Sequence, residues 1–289
     1  MNKDEKIFLD RYDETKYKGL SVTNDIIIFT TEDKKENNTR KMPRKGMQVL
    51  LVKRDDYPHK GKWAIPGGFV QYKEGLLEGA LRKLEEETSV SDVYIEQLYT
   101  FGDIGRDERT RVISVGNLAL TSKENLKIKN DKSNIKWFWI EKKIKETWES
   151  DAEIYRSFIL SIESEDEEVK IKYEIIEKTE KSFLRKVTKE YKTVEESEEL
   201  AFDHYKILDY GVDRIRNKIE YTPIAFNLLP RLFTVKELQY VYEAIMGTEI
   251  LNFRRKMSDM IVETDEVIEG KPYRPAQIFR FNENWEHSF

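Results

Sequence analysis

Residues 21–30, SVTNDIIIFT, form an apolar, β-branched run between polar flanks, which predicts a strand. A polar stretch, TEDKKENNTRKMPRKG, separates it from MQVLLVKRD (Met47–Asp55), a second strand, so the two read as a hairpin with a long connection. In Trp63-Ala-Ile-Pro-Gly-Gly two glycines follow a proline, which predicts a turn. Glu74 to Thr88 holds no proline and predicts a helix. YIEQLYTFGDI, RTRVISVGNLAL and IKWFWIE supply three more strands, and mixed strands around a helix, through about residue 144, predict an α/β domain over 1–144.

From 145 to 199 the character changes to a charged insert. ESEDEE reads as a solvated acidic surface. EVKIKYEII and FLRKVTKEYK alternate apolar and charged residues, as a hairpin exposed on one face does. Helical spacing returns at 200–221, where Leu200, His204, Ile207 and Leu208, then Gly211, Ile215 and Ile219, repeat on one face and predict a connecting helix. The remainder, 222–289, reads as a separate domain. IAFNLLP predicts a short helix. In FTVKELQYVYEAIMG, Thr234 and Glu237 have the spacing of a capping box, Leu238, Val241, Tyr242 and Ile245 form a buried stripe, and Gly247 marks the stop. LNFRRKMSDMIVE predicts a third helix, and VIEGKPYRPAQIFRF a hairpin. Three helices and a hairpin in this length outline a winged helix.

Composition narrows the partners. The net charge of −5 gives no global field toward nucleic acid or membrane, so a DNA contact must rest on a local basic patch. With no cysteine, disulfides, zinc–thiolate sites and thiol nucleophiles are excluded. The charged N-terminus has no apolar signal core, and no apolar run approaches a membrane span, so the expectation is a cytoplasmic protein without a membrane partner.

The most informative stretch is GGFVQYKEGLLEGALRKLEEETSV. It resembles the Nudix box, G-x5-E-x7-R-E-U-x-E-E-x-G-U with U apolar, through Gly68, Glu74, Arg82, Leu84, Glu86, Glu87 and Val90. Two positions depart: Lys83 stands where the family has glutamate, and Ser89 where it has glycine. Residues 83, 86 and 87 share one helix face. The resemblance implies that this face collects Mg²⁺, which neutralises a diphosphate and activates water. It further implies metal contacts from the Gly68 carbonyl, Glu86 and Glu87, catalytic work for those two carboxylates, and an Arg82–Glu74 pair that holds the loop on the helix. Lys83 changes the local charge by two units and has no lone pair for a metal while protonated. Four residues before Glu87, it can pair with that carboxylate and fill part of the vacated metal position. The expectation is a weakened Mg²⁺ site with impaired or abolished hydrolysis, set against a base drawn from Asp103, Asp107 or Glu108.

TFGDIGRDERTRVISVGNLAL, LAFDHYKILDYGVDRIRNKIEYTPIAFNLLP and the C-terminal segments together resemble the Nudix-related transcriptional regulators of NAD metabolism and their sugar-responsive relatives. That resemblance implies a Nudix fold, a mixed sheet with flanking helices, followed by a winged helix. It implies an ADP-ribose-like effector in the Nudix cleft, double-stranded DNA on the winged helix, and a homodimer, since two half-sites need two recognition helices. Asn252, Arg254, Arg255 and Lys256, at the start of the third helix, and Lys271, Arg274 and Arg280 in the wing, are the candidate DNA contacts. Nearby acidic residues, Asp259 to Glu269, nearly cancel that charge. Arg106, Arg109 and Arg111 are candidates for a ligand pyrophosphate, or for a solvated turn. His59, His204 and His287 lack metal spacing and read as surface or packing residues, and Trp137 and Trp139 as packing, with Phe138 on the opposite face. The reading is a metabolite-sensing transcriptional regulator. Its alternatives are a Mg²⁺-dependent hydrolase of ADP-ribose or another nucleoside diphosphate derivative, and an interaction module that has lost both activities.

Overall fold

The computed structural model describes residues 19–35, 42–88, 93–125, 134–268 and 276–286. The first run of β-branched residues becomes β1 (Ser21–Asp33), which pairs antiparallel with β2 (Lys45–Lys53) and parallel with β6 (Val112–Leu120). The turn expected at 63–68 is flanked by two short strands, β3 (Trp63–Ala64) on β2 and β4 (Gly67–Phe69) on β1. The box helix α1 runs Leu76–Thr88, and β5 (Tyr94–Phe101) closes one edge against β6.

The expected border at 144 is not a border in the fold. β7 runs unbroken from Ile135 to Glu149, because IKWFWIEKKIKETWE holds no glycine or proline to stop it. β8 (Glu153–Ser164), β9 (Lys170–Glu180) and β10 (Val187–Thr193) then continue the same sheet as an antiparallel meander, in the order β10-β9-β8-β7-β2-β1-β6-β5. The expected hairpin exists as β9–β10. The insert, however, is a sheet extension, and β8 was not anticipated. Its inward residues Leu160 and Ile162 are buried, so the meander contributes to the core.

Both faces of the central strands are covered, which is why β1 reads as a solid apolar run. Ile26, Ile28, Leu50 and Trp137 pack under Ala80 and Leu84 of α1. On the other face Ile27, Phe29, Val49 and Phe138 join Ile207, Val212 and Ile215 of helix α2 (His204–Lys218). Trp137 and Phe138 thus serve separate cores, while Trp139 is half-buried. At Gly211 a methyl group would run into Cδ1 of Ile27, so glycine lets α2 lie close on β1.

A 3₁₀ turn (Pro223–Leu228) leads to β11 (Phe233–Thr234) and α3 (Val235–Met246). The capping box forms: Thr234 Oγ1 accepts from the Glu237 N–H at 3.1 Å, and the Thr234 N–H donates to Glu237 Oε2 at 2.7 Å. Such a cap is worth about 1 kcal/mol. Leu238, Val241, Tyr242 and Ile245 are buried, and Gly247 ends α3 in the left-handed region at φ 74°. The third helix departs from expectation. α4 spans only Phe253–Lys256, and β12 (Ile261–Ile268) takes the IVE segment that the sequence reading placed in it. The β-branched pair Ile261–Val262 aligns with Phe281 and Arg280 of β13 (Ala276–Phe281), and sheet pairing overrides helical spacing there. The small sheet has the order β11-β13-β12.

The two units share one apolar cluster. Phe233, Val241, Ile245 and Phe279 of the C-terminal unit belong to the same buried set as Val49 and Leu51 of β2. Arg216 of α2 reinforces the junction, donating to the Ile245 carbonyl at 2.8 Å and to the Lys142 carbonyl at 2.7 Å. Among the described residues no helix is long and apolar enough to cross a membrane.

Candidate functional site

The site forms where β4 enters α1. β4 pairs with β1, with Gly68 opposite Asn24 and Phe69 opposite Thr23. Asn24 then donates through Nδ2 to the Leu76 carbonyl at 2.9 Å, fixing the first turn of α1 to the sheet. Arg82 grips Glu74 with two parallel bonds of 2.9 and 2.6 Å, and the Gln71 N–H donates to the same carboxylate at 2.8 Å. The Arg82 guanidinium, with the Gln71 N–H, holds the Glu74 carboxyl down at about 2. Glu74 is thus bonded both to Arg82 of α1 and to the loop before the helix.

Lys83 faces the same side as Glu86. Its Nζ lies 2.6 Å from Glu86 Oε2, whereas the sequence reading paired it with Glu87. Arg82 Nη1 reaches the other Glu86 oxygen at 3.0 Å. The Lys83 ammonium is the larger cause, and Arg82 a further one, of a Glu86 carboxyl held below the usual carboxylate range. A Cβ added to Gly68 would come within 2.6 Å of Lys83 Cε, so the lysine stem lies across the glycine whose carbonyl was the candidate metal contact. Glu87 is half-buried on the next position of the helix. Tested against a divalent cation, this donor set does not fit. Glu86 carries two cationic partners, and a cation stands where a third carboxylate belongs. Among the described residues no group of three or more acidic or histidine side chains has the arrangement to hold a metal.

Beneath the glycine loop lies a buried polar cluster that the sequence reading did not assemble. Ser114 donates to Asp25, and Arg106 forms a two-point pair with Asp203 at 2.6 and 3.1 Å while standing 3.7 Å from Asp25. Asp203 precedes α2, and its carboxylate goes to Arg106 instead of capping the helix. His204 is buried and accepts the Ile65 N–H on Nδ1 at 2.9 Å. Burial pushes its imidazole below the ordinary value, against an opposing pull from Asp25. Only a neutral ring can accept in this way. The lead-in to the box is thus bonded directly to the lead-in to α2, also through the Ala201 N–H to the Trp63 carbonyl at 2.8 Å. The available signal was an Asp-His pair at the start of a long apolar helix stripe.

The three candidate arginines separate. Arg106 is buried in that cluster. Arg111 donates to the Asp103 and Gly102 carbonyls at 3.0 and 2.7 Å. Arg109 pairs with Asp107 at 2.7 Å and lies over the Phe69 ring, 5.4 Å from its centroid, at the rim of the box. Of the carboxylates weighed as alternative bases, Asp107 is thus paired with Arg109, Asp103 with Lys206 at 2.9 Å, and Glu108 stands 3.1 Å from His59.

A second unanticipated cluster ties the sheet extension to α2. Lys142 lies 2.6 Å from Asp209 and 2.7 Å from Asp213, and Lys189 of β10 is 2.7 and 2.6 Å from the same two carboxylates. Lys142 and Asp209 are buried, so each charge depends on the others. A cleft of about 840 Å³ opens between the sheet and the end of α3, but its lining mixes both charge signs, as with Lys45, Lys123, Glu141 and Glu243.

In the C-terminal unit, Phe253 anchors α4 in the core while Asn252, Arg254, Arg255 and Lys256 are exposed on one short turn, with Arg254 over the Phe279 ring at 5.7 Å. Asn252 adopts the left-handed region at φ 55°. Lys271, Arg274 and His287 lie outside the described residues.

Residues 37–158 match the model of the NUDIX domain, and residues 225–281 that of the NrtR DNA-binding winged helix domain. The ADPR responsive transcriptional repressor NtrR of Acinetobacter baylyi is 30% identical over 286 residues, covering 96% of this chain and 88% of that protein. The crystal structure of a MutT/nudix family protein from Enterococcus faecalis is similar over 98% of this chain and 94% of its own, with a TM-score of 0.66 at 24% identity. That of Shewanella oneidensis NrtR complexed with a 27mer DNA covers 90% of this chain and 93% of its own, with a TM-score of 0.59 at 26% identity.

Proposed function

We propose, since this chain belongs to the NrtR-type family that joins a NUDIX domain to a DNA-binding winged helix, that it is an ADP-ribose-responsive transcriptional repressor. ADP-ribose or a related nucleotide binds at the glycine loop around Gly68, and the turn Asn252–Lys256 engages double-stranded DNA. The observation that carries the choice of sensor over hydrolase is the Lys83–Glu86 pair at 2.6 Å, which puts a cation in the metal face of the box while leaving the Glu74–Arg82 scaffold intact. A diphosphate carries its own negative charge, so this cation favours binding the ligand while it disfavours the metal needed to cleave it. Two copies acting on two half-sites fit a winged helix whose recognition turn is this short, because few contacts per copy then suffice. A protein acting on DNA would work in the cytoplasm of a cell without a nucleus.

The signal path follows from the bonds between the box lead-in and α2. A ligand that shifts Ile65 or Trp63 pulls on His204 and Ala201. α2 carries that movement to Arg216 and the end of α3. A shift assay with the protein's own upstream region, with and without ADP-ribose, tests the reading. Specific binding that ADP-ribose alters is the expected result, and binding no better than to random duplex refutes it.

A further inference from the structure

Beside the glycine loop, four side chains alternate ring and guanidinium. The Phe69 ring faces Arg109 at 5.4 Å, Arg109 faces the Phe202 ring at 5.7 Å, and Arg54 covers Phe202 at 4.9 Å. Each arginine is also held by a hydrogen bond, Arg54 by the Pro58 carbonyl at 2.8 Å and Arg109 by Asp107 at 2.7 Å. The ring they hold is not at ease. Phe202 sits at φ 52°, a region that a bulky residue enters only under constraint, and His59, packed edge-on against it at 4.5 Å, sits at φ 61°. Its chain neighbours are pinned: Ala201 by the Trp63 carbonyl, Asp203 by Arg106 and His204 by the Ile65 N–H. The Phe202 side chain is half-buried. Two guanidiniums brought to one hydrocarbon ring also repel each other, and a phenyl group brings no negative charge to offset that. A planar base attached to a diphosphate supplies both the ring and the charge.

We propose that this ladder is a base-stacking seat held in reserve by Phe202: the planar base of a nucleoside-diphosphate ligand replaces the Phe202 ring between Arg54 and Arg109. The inference rests on the reading of the NUDIX unit as a nucleotide sensor. It adds that the base enters by displacing a residue on the very segment that opens α2, so base binding and helix movement are one event.

Calorimetry on the full chain with two probes, ADP-ribose and inorganic pyrophosphate, tests it. Phe202→Gly removes the ring and makes the left-handed backbone unstrained. ADP-ribose should then bind about tenfold tighter, since strain and ring displacement together amount to roughly one decade of affinity. Pyrophosphate, which has no base, should bind the variant and the unaltered protein alike. Arg109→Lys keeps the charge but loses the flat face, and should weaken ADP-ribose several-fold with little change for pyrophosphate. Weaker ADP-ribose binding in Phe202→Gly would make Phe202 a stacking partner and overturn the proposal. So would equal gains for both probes, or no gain for either. In each of these cases ADP-ribose still binds and the sensor reading stands. If ADP-ribose binds none of the three proteins, the sensor reading itself fails and this inference falls with it.

Discussion

Lys83 Nζ lies 2.6 Å from Glu86 Oε2, and the stem of the same lysine crosses the face of Gly68. One side chain therefore occupies both the charge and the space that a divalent cation needs. Purified protein should hydrolyse ADP-ribose very slowly even with millimolar-range Mg²⁺. Lys83→Glu should restore a third carboxylate on the face and raise Mg²⁺ affinity, measurable by calorimetry, with hydrolysis following if the base survives. Rapid turnover by the unaltered protein, lost in Glu86→Gln or Glu87→Gln, would make this a hydrolase instead.

ADP-ribose should raise the melting temperature. A ligand that binds only the folded chain stabilises it by about 2.7 kcal/mol at a hundred times its dissociation constant. The shift should shrink in Arg82→Ala, where Glu74 and the loop lose their anchor. No shift with ADP-ribose, NAD, nucleotides or phosphorylated sugars would remove the support for a sensor.

Arg254→Ala and Arg255→Ala should each cost about 1–3 kcal/mol of DNA binding and relax specificity, if these side chains read base edges. Lys256→Ala should instead weaken all sequences similarly and flatten the salt dependence, as loss of a phosphate contact does. Shift assays at several fixed salt concentrations separate the two behaviours. A uniform loss for all three residues would reassign the arginines to phosphate.

His204 makes stability depend on pH in a known direction. Burial disfavours its charged form in the folded chain, while the unfolded chain takes up a proton near the ordinary value of 6.5. The stabilisation is complete above that value and is lost as pH falls from it toward the lower folded value. Asp25 and Asp203 pull the other way, and Arg106 and Arg54 reinforce the effect. Denaturant midpoints at pH 7.5 and about pH 5.5 should differ more for the unaltered protein than for His204→Asn, whose amide oxygen can still accept a bond without titrating. Equal differences would show that other groups set the acid limb.

Gly211→Ala sets two effects against each other. Alanine improves helix propensity by about 1 kcal/mol. The added methyl, however, meets the buried Ile27 side chain, and overpacking of a closed core costs about 1–3 kcal/mol. Net destabilisation is expected, read as a lower denaturant midpoint with an unchanged m-value. Ile27→Val in the same chain should recover part of it, and a stabilised single variant would show that α2 can lift off β1 without cost.

Much of this was readable because local rules and tertiary demands agreed. The Thr234–Glu237 box, the Gly247 stop and the stripe of Leu238, Val241, Tyr242 and Ile245 are local signals, and each appears as written. Lys83 was legible because the box fixes its neighbours by spacing. Its partner was not, since positions three and four residues away are both in reach on a helix, and the structure chose Glu86 over the expected Glu87. The helix expected from 251 to 263 shortened to one turn because Ile261 and Val262 found a strand partner in β13, a choice made far along the chain. The charged stretch after 144 looked like an insert because charge on a strand's outer face resembles charge in a loop. Lys189 shows the limit of that inference, for it reaches Asp209 and Asp213 on a helix, where it meets Lys142 of β7. The partner of Arg106 was hidden for the same reason, since Asp203 lies far along the chain.

The single apolar cluster that joins Val49 and Leu51 to Val241, Ile245 and Phe279 has a consequence for taking the molecule apart. The winged helix begins as a recognisable stretch of sequence at residue 225, but the apolar cluster it sits in does not begin there. Cutting the chain between α2 and β11 would leave a greasy face on each fragment. What evolution could splice as two pieces, a biochemist should expect to purify only as one.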